Sequence, residues 1–374
     1  MTDTNSAPRP TALFASPITV VELGESVSTA ISGRLLLKMG ANVTRILPAG
    51  TFSAIDSTPP FLVAEDEPPS ALAVWLHEGK TLWEPDLSDP AIRLEVLAVL
   101  KNADVILIWG TTDEWASRGL PLTAVSRAAP TAVIGHVTAW GDDGPYGGFR
   151  QGELTLQATS GFLNLLGVID REPVRLAGHP IQSVTGMLAL DGILIGLFRR
   201  QSTGQGARFD TSEFESAAHL EWKIATFVQS QMRRELRGED GGGPCVVRCR
   251  DGHFAMFFMP RHWEDMKTII GDPRLDEDRF ATATAREEHL DELVAVVEET
   301  TLLMSKKELY YQAQAKNIPA GYVATVTDLR TSPQYRARNL FNPITVEGIG
   351  TGELPSAPWQ VLTTSNDGSG VDAA

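Results

Sequence analysis

Residues 18–48 read ITVVELGESVSTAISGRLLLKMGANVTRILP. ITVVELG (18–24) is a β-branched apolar run, SVSTAISGRLLLKMG (26–40) has helical spacing with Gly40 as its stop, and NVTRILP (42–48) turns apolar again. That is a βαβ unit. Two further buried-strand candidates, ADVILIWG (103–110) and PTAVIGHVTAWG (130–141), each follow a plausible helix. The pattern predicts an α/β fold with an open, mostly parallel sheet wrapped by helices. Ligands on such sheets sit at the carboxyl ends of the strands.

Working outward, 374 residues exceed what one compact core usually reaches, which predicts two domains or one large α/β domain with an appendage. The polar, Pro-bearing MTDTNSAPRP opening predicts a disordered tail over 1–15, with order beginning near Ser16. A large domain is expected over 16–229, closing on a helical run from Thr211 to about Leu236. GEDGGGP (238–244) is a flexible loop by composition, followed by short strands around CVVRCRDGHFAMFF (245–258) and an acidic helical stretch over 285–317. These predict a smaller α+β domain over 230–325. Residues 326–374, rich in Pro and Gly and weakly periodic, are expected to return to the large domain.

At 43% hydrophobic and 21% charged residues, the chain has an ordinary globular composition. A net charge of -15 repels nucleic acid and anionic membrane, so neither is an expected partner, and an anionic ligand needs local basic residues. Cys245 and Cys249 lie four apart in CVVRC, which on a strand puts both thiols on one face without the geometry for a bridge. Reduced cysteines in a cytoplasmic protein are the expectation. No signal-peptide pattern opens the sequence, and MLALDGILIGLF (187–198) is short and interrupted by Asp191, so no membrane span is expected. G-x-G-x-x-G, a P-loop and G-x-S-x-G are all absent, which counts against nicotinamide, ATP and a nucleophile elbow. The seven histidines show no metal-ligand spacing, so no metal is expected.

What remains is a set of loops at strand ends: HEGKT (77–81), GTTDEW (110–115), WGDDGPYGGFRQGE (140–153) and GHPIQS (178–183). In the third, a Gly-Pro-Tyr-Gly turn hands the chain through Arg150 and Glu153 into a helical run. Glu153 reads either as a plain first-turn helix acid or as a site carboxylate in a Gly-rich, Arg-bearing loop.

The ordered string of VVELGESVSTAISGRLLLKMGANVTRI, ADVILIWG, VTAWGDDGPYGG, LQATSGFLNLLG, PIQSVTGMLALDGILIGLFRRQSTGQGARFDTSEFESA, CRDGHFAM and AKNIPAGYVATVTDLRTSPQYRARNLF resembles the class III CoA-transferases. That family also holds carnitine CoA-transferase, formyl-CoA transferase and α-methylacyl-CoA racemase. The likeness covers nearly the whole chain. TGQGARFDTSEFESA and the NIPAG…SPQYRARNLF block are its most specific parts. It implies an open Rossmann-like domain, a smaller domain, two chains interlocked like links, and coenzyme A as ligand, bound as an acyl-CoA substrate. Carried over by position, the family's CoA contacts fall on Ser26 and Val27, on Pro48, on Lys80, and on Trp109 with Gly110. Lys80 matches the family's type; Pro48 stands where Arg is common, and Trp109-Gly110 where Asn-Phe is common. Arg150 falls where some members have Lys, three residues ahead of an acid that Glu153 matches, and is a candidate phosphate contact.

The resemblance places the family's catalytic Asp four residues before Gly186, where this chain has Gln182. An amide has no anionic oxygen to attack a thioester, so the covalent transferase cycle is closed to it. The His that partners the Asp in the racemases corresponds to Gly152, which closes that route too. Three readings follow. The chain is the Asp-less subunit of a two-chain CoA-transferase, acting on acyl-CoA and a carboxylic acid beside a paralogous Asp-bearing chain. Alternatively it is a stand-alone acyl-CoA enzyme, a homodimer of changed chemistry (isomerase, lyase or hydrolase), with Glu153 as base and Gln182 as donor to the thioester oxygen. In the third reading it is a non-catalytic acyl-CoA binding protein.

Overall fold

Thr19–Leu23 form strand β1, whose last four residues are buried on both faces because it lies between two parallel neighbours. The computed structural model describes residues 13–14, 16–63, 69–167, 171–220, 244–257, 260–360, 362–364 and 371–373. Helix α1 (Val27–Lys38) follows β1. Its N-cap is Ser26, whose hydroxyl accepts from Thr29 N while Thr29 Oγ1 accepts from Ser26 N, and that reciprocal pair fixes where the helix starts. β2 (Asn42–Ile46), α2 (Ala71–His77), β3 (Thr81–Trp83), α3 (Pro90–Lys101) and β4 (Val105–Trp109) come next. Then follow α4 (Thr112–Ser117), α5 (Leu122–Ala128), β5 (Val133–Thr138), α6 (Glu153–Thr159), α7 (Pro180–Thr203), β6 (Ala207–Ser212) and α8 (Glu213–Leu220).

The six strands run in the order β3-β2-β1-β4-β5-β6, and every neighbouring pair is parallel. Alternate strand residues feed two cores. Val21, Leu23, Ile106 and Ile108 pack with Val96 and Leu100 of α3, while Val20, Leu107 and Val133 pack with Leu36 of α1 and Ile193 of α7. Strand order reverses between β1 and β4, and a crevice opens beyond the carboxyl ends of such a pair. The α/β class and the parallel sheet are as the sequence predicts. β3 and β6 were not foreseen: the first has only three residues, and the second alternates half-buried and exposed positions as an edge strand does.

Helix α7 has 24 residues, so the apolar run is part of a longer element that begins at Pro180. By length and composition alone it could cross a membrane, which corrects the expectation that the segment is too short. In this fold it lies along α1, β5 and β6, with Ile181, Thr185, Ala189 and Ile193 turned inward. The crossing with α1 depends on Gly186. A Cβ there would sit 2.5 Å from the Ser28 carbonyl oxygen, and Ser32 Oγ donates to the Gly186 carbonyl at 2.6 Å.

Contacts divide the described chain into two units. Residues up to 167, 172–220 and 338 onward form the larger, and Arg171 with 244–337 the smaller. The smaller unit has an antiparallel sheet of β7 (Pro244–Cys249), β8 (Gly252–Phe257) and β9 (Ala320–Tyr322). Its helices are α9 (Trp263–Ile270), α10 (Ala283–Glu288), α11 (Leu290–Thr301), α12 (Lys306–Ala315), α13 (Val326–Thr331) and α14 (Pro333–Ala337). Phe254, Met256, Trp263, Phe280 and Leu293 are buried in its core. The stretch expected as helical over 285–317 is three helices, the last begun by Ser305, whose side chain accepts from Glu308 N. Cys249 is a free, buried thiol, pushed up to about 11 by its desolvation. The Cys245 side chain, most of GEDGGGP and residues 221–236 of the foreseen helix lie outside the described residues, as does most of the opening tail. In the weakly periodic C-terminal stretch, β10 (Phe341–Val346) and β11 (Gly350–Pro355) pair as an antiparallel hairpin of the larger unit, and β12 (Leu362–Thr364) pairs with β13 (Val371–Ala373).

Candidate active site

The first backbone donors of α7 are met from another helix. Ile181 N donates to Glu153 Oε1 at 3.1 Å and Gln182 N to Glu153 Oε2 at 3.2 Å. Glu153 is itself the first residue of α6 and is buried, so one carboxylate sits at the start of two helices, where negative charge is favoured. Gln157 Nε2 adds a third bond at 3.0 Å, filling three of the roughly four acceptor positions a carboxylate has. Glu153 is therefore the first-turn acid the sequence allowed and also the group that ties α6 to α7.

One residue further in, the Gln182 side chain is held at both ends. Its Nε2 donates to Glu213 Oε1 at 3.2 Å, and its Oε1 meets His179 Nδ1 at 2.8 Å. Glu213, the first residue of α8, is fully buried; Ser28 Oγ donates to the same Oε1 at 2.6 Å, while Oε2 has no partner. Burial pushes the Glu213 carboxyl up to about 7, against the opposing bonds from Ser28 and Gln182 and with the nearby Glu153 charge adding to the rise. Sequence reading missed this residue. Its signal, an acid directly after the β6 run, is ordinary for a helix start, and its partners are 185 and 31 residues away in the chain.

Ser26, Val27, Trp109, Glu153, His179 and Gln182 line one chamber of about 240 Å³. It shares Glu25, Ala54, Trp109 and Gln151 with a cleft of about 960 Å³ at the carboxyl ends of β1 and β4. Gly110, Arg118 and Arg150 line that cleft. The end of β4 is fixed from behind: His136 Nε2 donates to the Gly110 carbonyl at 2.7 Å and Trp115 Nε1 to the Trp109 carbonyl at 2.8 Å. Glu25 is a cleft acid already neutralised by Arg45. Arg150 is exposed, with no ion pair among the described residues, and Arg118 lies over the Trp115 ring at 5.2 Å. Both guanidiniums suit an anionic ligand in an otherwise acidic chain. Arg118, just past α4, was not singled out from sequence. Pro48 lines a further cavity of about 680 Å³ that shares Thr51, Phe52 and Arg118 with the cleft.

Lys80 departs from the expectation that it faces a ligand. Its side chain is 1% exposed, and its ammonium donates to Glu22 Oε1 at 2.6 Å and to the Ala30 carbonyl at 2.8 Å. The reason is a vacancy at Gly33, where a Cβ would lie 1.7 Å from Glu22 Oε1: the missing side chain lets the carboxylate fold under α1 and draw Lys80 in. The structure thus places Ser26, Val27, Trp109, Gly110, Arg150, Glu153 and Gln182 on two cavities with shared walls and leaves Lys80 inside the fold. Among the described residues no group of three or more His, Cys, Asp or Glu side chains is arranged to hold a metal ion.

This site lies at the switch point of a parallel sheet, where ligands of such folds bind, and its larger cleft is lined by Arg118 and Arg150 together with Asp113, Glu114 and Asp142. Residues 16–369 match the model of CoA-transferase family III, and the chain belongs to that family. It is thereby an enzyme of the CoA-transferase class, whose substrates are CoA thioesters. It is similar to succinate–glutarate CoA-transferase of Agrobacterium fabrum, 25% identical over 87% of this chain and 84% of that one. It is also similar to the succinyl-CoA:(R)-benzylsuccinate CoA-transferase subunit BbsE of Thauera aromatica, 27% identical over 77% of this chain and 73% of that one. A crystal structure of a CAIB/BAIF family protein from Brucella suis has the same fold, with a TM-score of 0.81 and 23% identity over 97% of this chain and 94% of that one.

Proposed function

We propose that this chain is the Asp-less subunit of a two-chain CoA-transferase, taking acyl-CoA in its cleft while an Asp-bearing paralogous chain carries the covalent cycle for acyl-CoA and a carboxylic acid. The observation that carries the proposal is Gln182. It stands at the start of α7, four residues before the Gly186 crossing, and its amide is bonded on both sides, to Glu213 and to His179. The frame is that of a nucleophile position, and the group in it cannot form an acyl bond. The likeness to a protein named as a subunit supports the same reading.

In this proposal Arg118 and Arg150 meet phosphates of CoA in the larger cleft, Trp109 and Gly110 line the passage, and the thioester lies by Ser26, Val27, Glu153 and Gln182. The assembly is an interlocked dimer in the cytoplasm, of one chain and its paralogue. The domains are 16–229, 230–325 and 326–374, although α13 and α14 group with the smaller unit. Co-expression with a class III chain that has Asp at the Gln182 position tests the reading. The pair is expected to copurify as a heteromer that transfers CoA from succinyl-CoA to a carboxylic acid, with neither chain transferring CoA alone. A homodimer that completes transfer without a partner would overturn it.

A stand-alone enzyme of changed chemistry is the second reading, favoured by one observation: a buried, unneutralised Glu213 lies directly behind Gln182.

A further inference from the structure

The hydrogen bonds around Gln182 fix more than Gln182. Glu213, when ionised, can only accept, so the amide must turn Nε2 toward it and Oε1 toward His179. An amide oxygen also only accepts, so His179 Nδ1 must carry a proton. In a neutral imidazole this leaves Nε2 as a lone pair. Nε2 has no hydrogen-bond partner among the described residues, and His179 lines the same chamber as Glu153 and Gln182. A ring so held, in a residue that lines a small chamber, has the elements of a general base: one nitrogen oriented by a hydrogen bond, the other without a hydrogen-bond partner among the described residues.

We propose that His179 is the proton-transfer group of this chamber and that the chain hydrolyses acyl-CoA thioesters with water as nucleophile, Gln182 and Glu213 being the positioning residues that set the His179 tautomer. The proposal rests on the reading that the cavity takes acyl-CoA; it does not depend on a partner chain. His179 Nε2 takes a proton from water as the water oxygen bonds to the thioester carbonyl carbon. The tetrahedral adduct then breaks its C–S bond, and the sulfur leaves with the proton from Nε2. One thioester and one water become one carboxylic acid and one CoA thiol. Gln182 thus replaces an attacking carboxylate with an orienting amide, and water takes over the attack.

The charged groups about this relay limit when it works. Glu213 faces Ser28 from α1, Gln182 from α7 and the Glu153 carboxylate from α6, and shares its own helix with Glu215. Glu25, paired with Arg45, and Glu153, bound by α7 amides, are the acids lining the chamber. When Glu213 takes up a proton it can donate to the amide oxygen. The amide is then free to turn Nε2 toward His179, the ring proton moves to the other nitrogen, and the base is lost.

Three measurements on the full chain decide the proposal. Calorimetry with CoA establishes binding, release of thiol from succinyl-CoA reports hydrolysis, and two-dimensional spectra of 15N-histidine-labelled protein report the ring tautomer, assigned by its disappearance in His179→Gln. The wild type is expected to release thiol and to show His179 protonated on Nδ1. His179→Ala should bind CoA as before and lose about 100-fold in kcat. Gln182→Leu should keep its fold, mix the two tautomers and lower kcat more than it changes KM. An Nε2-protonated ring in the wild type, or an unchanged rate in His179→Ala, would overturn the assignment. CoA binding without thiol release would overturn the hydrolysis alone, whereas absence of CoA binding would sink the acyl-CoA reading of the cavity and the hydrolysis with it.

Discussion

Gln182 Nε2 donates to Glu213 Oε1 across 3.2 Å, and neither residue is more than 7% exposed. A carboxylate in such a place is costly, and its proton is correspondingly well held. The folded Glu213 titrates near 7 against an ordinary value of 4.5, so between those values the native state binds more protons than the unfolded chain. Its contribution to stability is fully present below pH 4.5 and is lost as pH rises toward 7, by up to about 1.4 kcal/mol per pH unit. Urea unfolding at stepped pH is expected to show that decline, and Glu213→Gln to flatten it. An identical slope in both proteins would mean that Glu213 does not titrate in this window.

The buried pair of Lys80 and Glu22 predicts a loss of stability rather than of ligand affinity. Lys80→Ala strands the Glu22 carboxylate in the sheet and should cost about 3–5 kcal/mol. Glu22→Leu combined with Lys80→Met should recover most of it, since an apolar pair of similar volume needs no charge partner. Denaturant midpoints compare the three proteins. A fully stable Lys80→Ala that binds CoA poorly would return Lys80 to the ligand site.

Gly186→Ala forces a Cβ to within 2.5 Å of the Ser28 carbonyl oxygen, so α1 and α7 must separate. Overpacking of this kind costs about 1–3 kcal/mol, and the shift should also disturb the Ser28–Glu213 bond that borders the chamber. Thermal unfolding tests the first effect, and a change in the pH slope assigned to Glu213 the second.

Arg118→Ala and Arg150→Ala are each expected to weaken CoA binding by about fivefold and to lower its salt dependence, as partly exposed charge contacts do. Calorimetry at two ionic strengths reads both. Unchanged affinity in either variant removes that arginine from the phosphate path.

The sheet was legible because β1, β4 and β5 are buried on both faces and read as unbroken apolar runs. The short β3 and the edge strand β6 carry no such run. Glu153 and Gln182 were legible as loop and helix-start residues, but their bonding was not, since it joins α6, α7 and α8. Lys80 was misread for the same reason: its partner Glu22 lies 58 residues earlier, and the cue was an empty position, Gly33, rather than a residue. Sequence spacing reports faces and termini within one element. What closes a site across elements is set by which side chains are missing as much as by which are present.

The most direct measurement is made on Gln182→Asp. The substitution places a carboxylate at the start of α7, in the frame set by Gly186 and by the Glu153 bonds to the Ile181 and Gln182 amides. If that frame is a transferase frame lacking only its nucleophile, incubation with succinyl-CoA followed by borohydride or hydroxylamine should leave a mass change at residue 182 in the variant and none there in the wild type. If the variant binds succinyl-CoA and residue 182 is still unmodified, the position is not that of a missing nucleophile, and the subunit reading built on it is wrong.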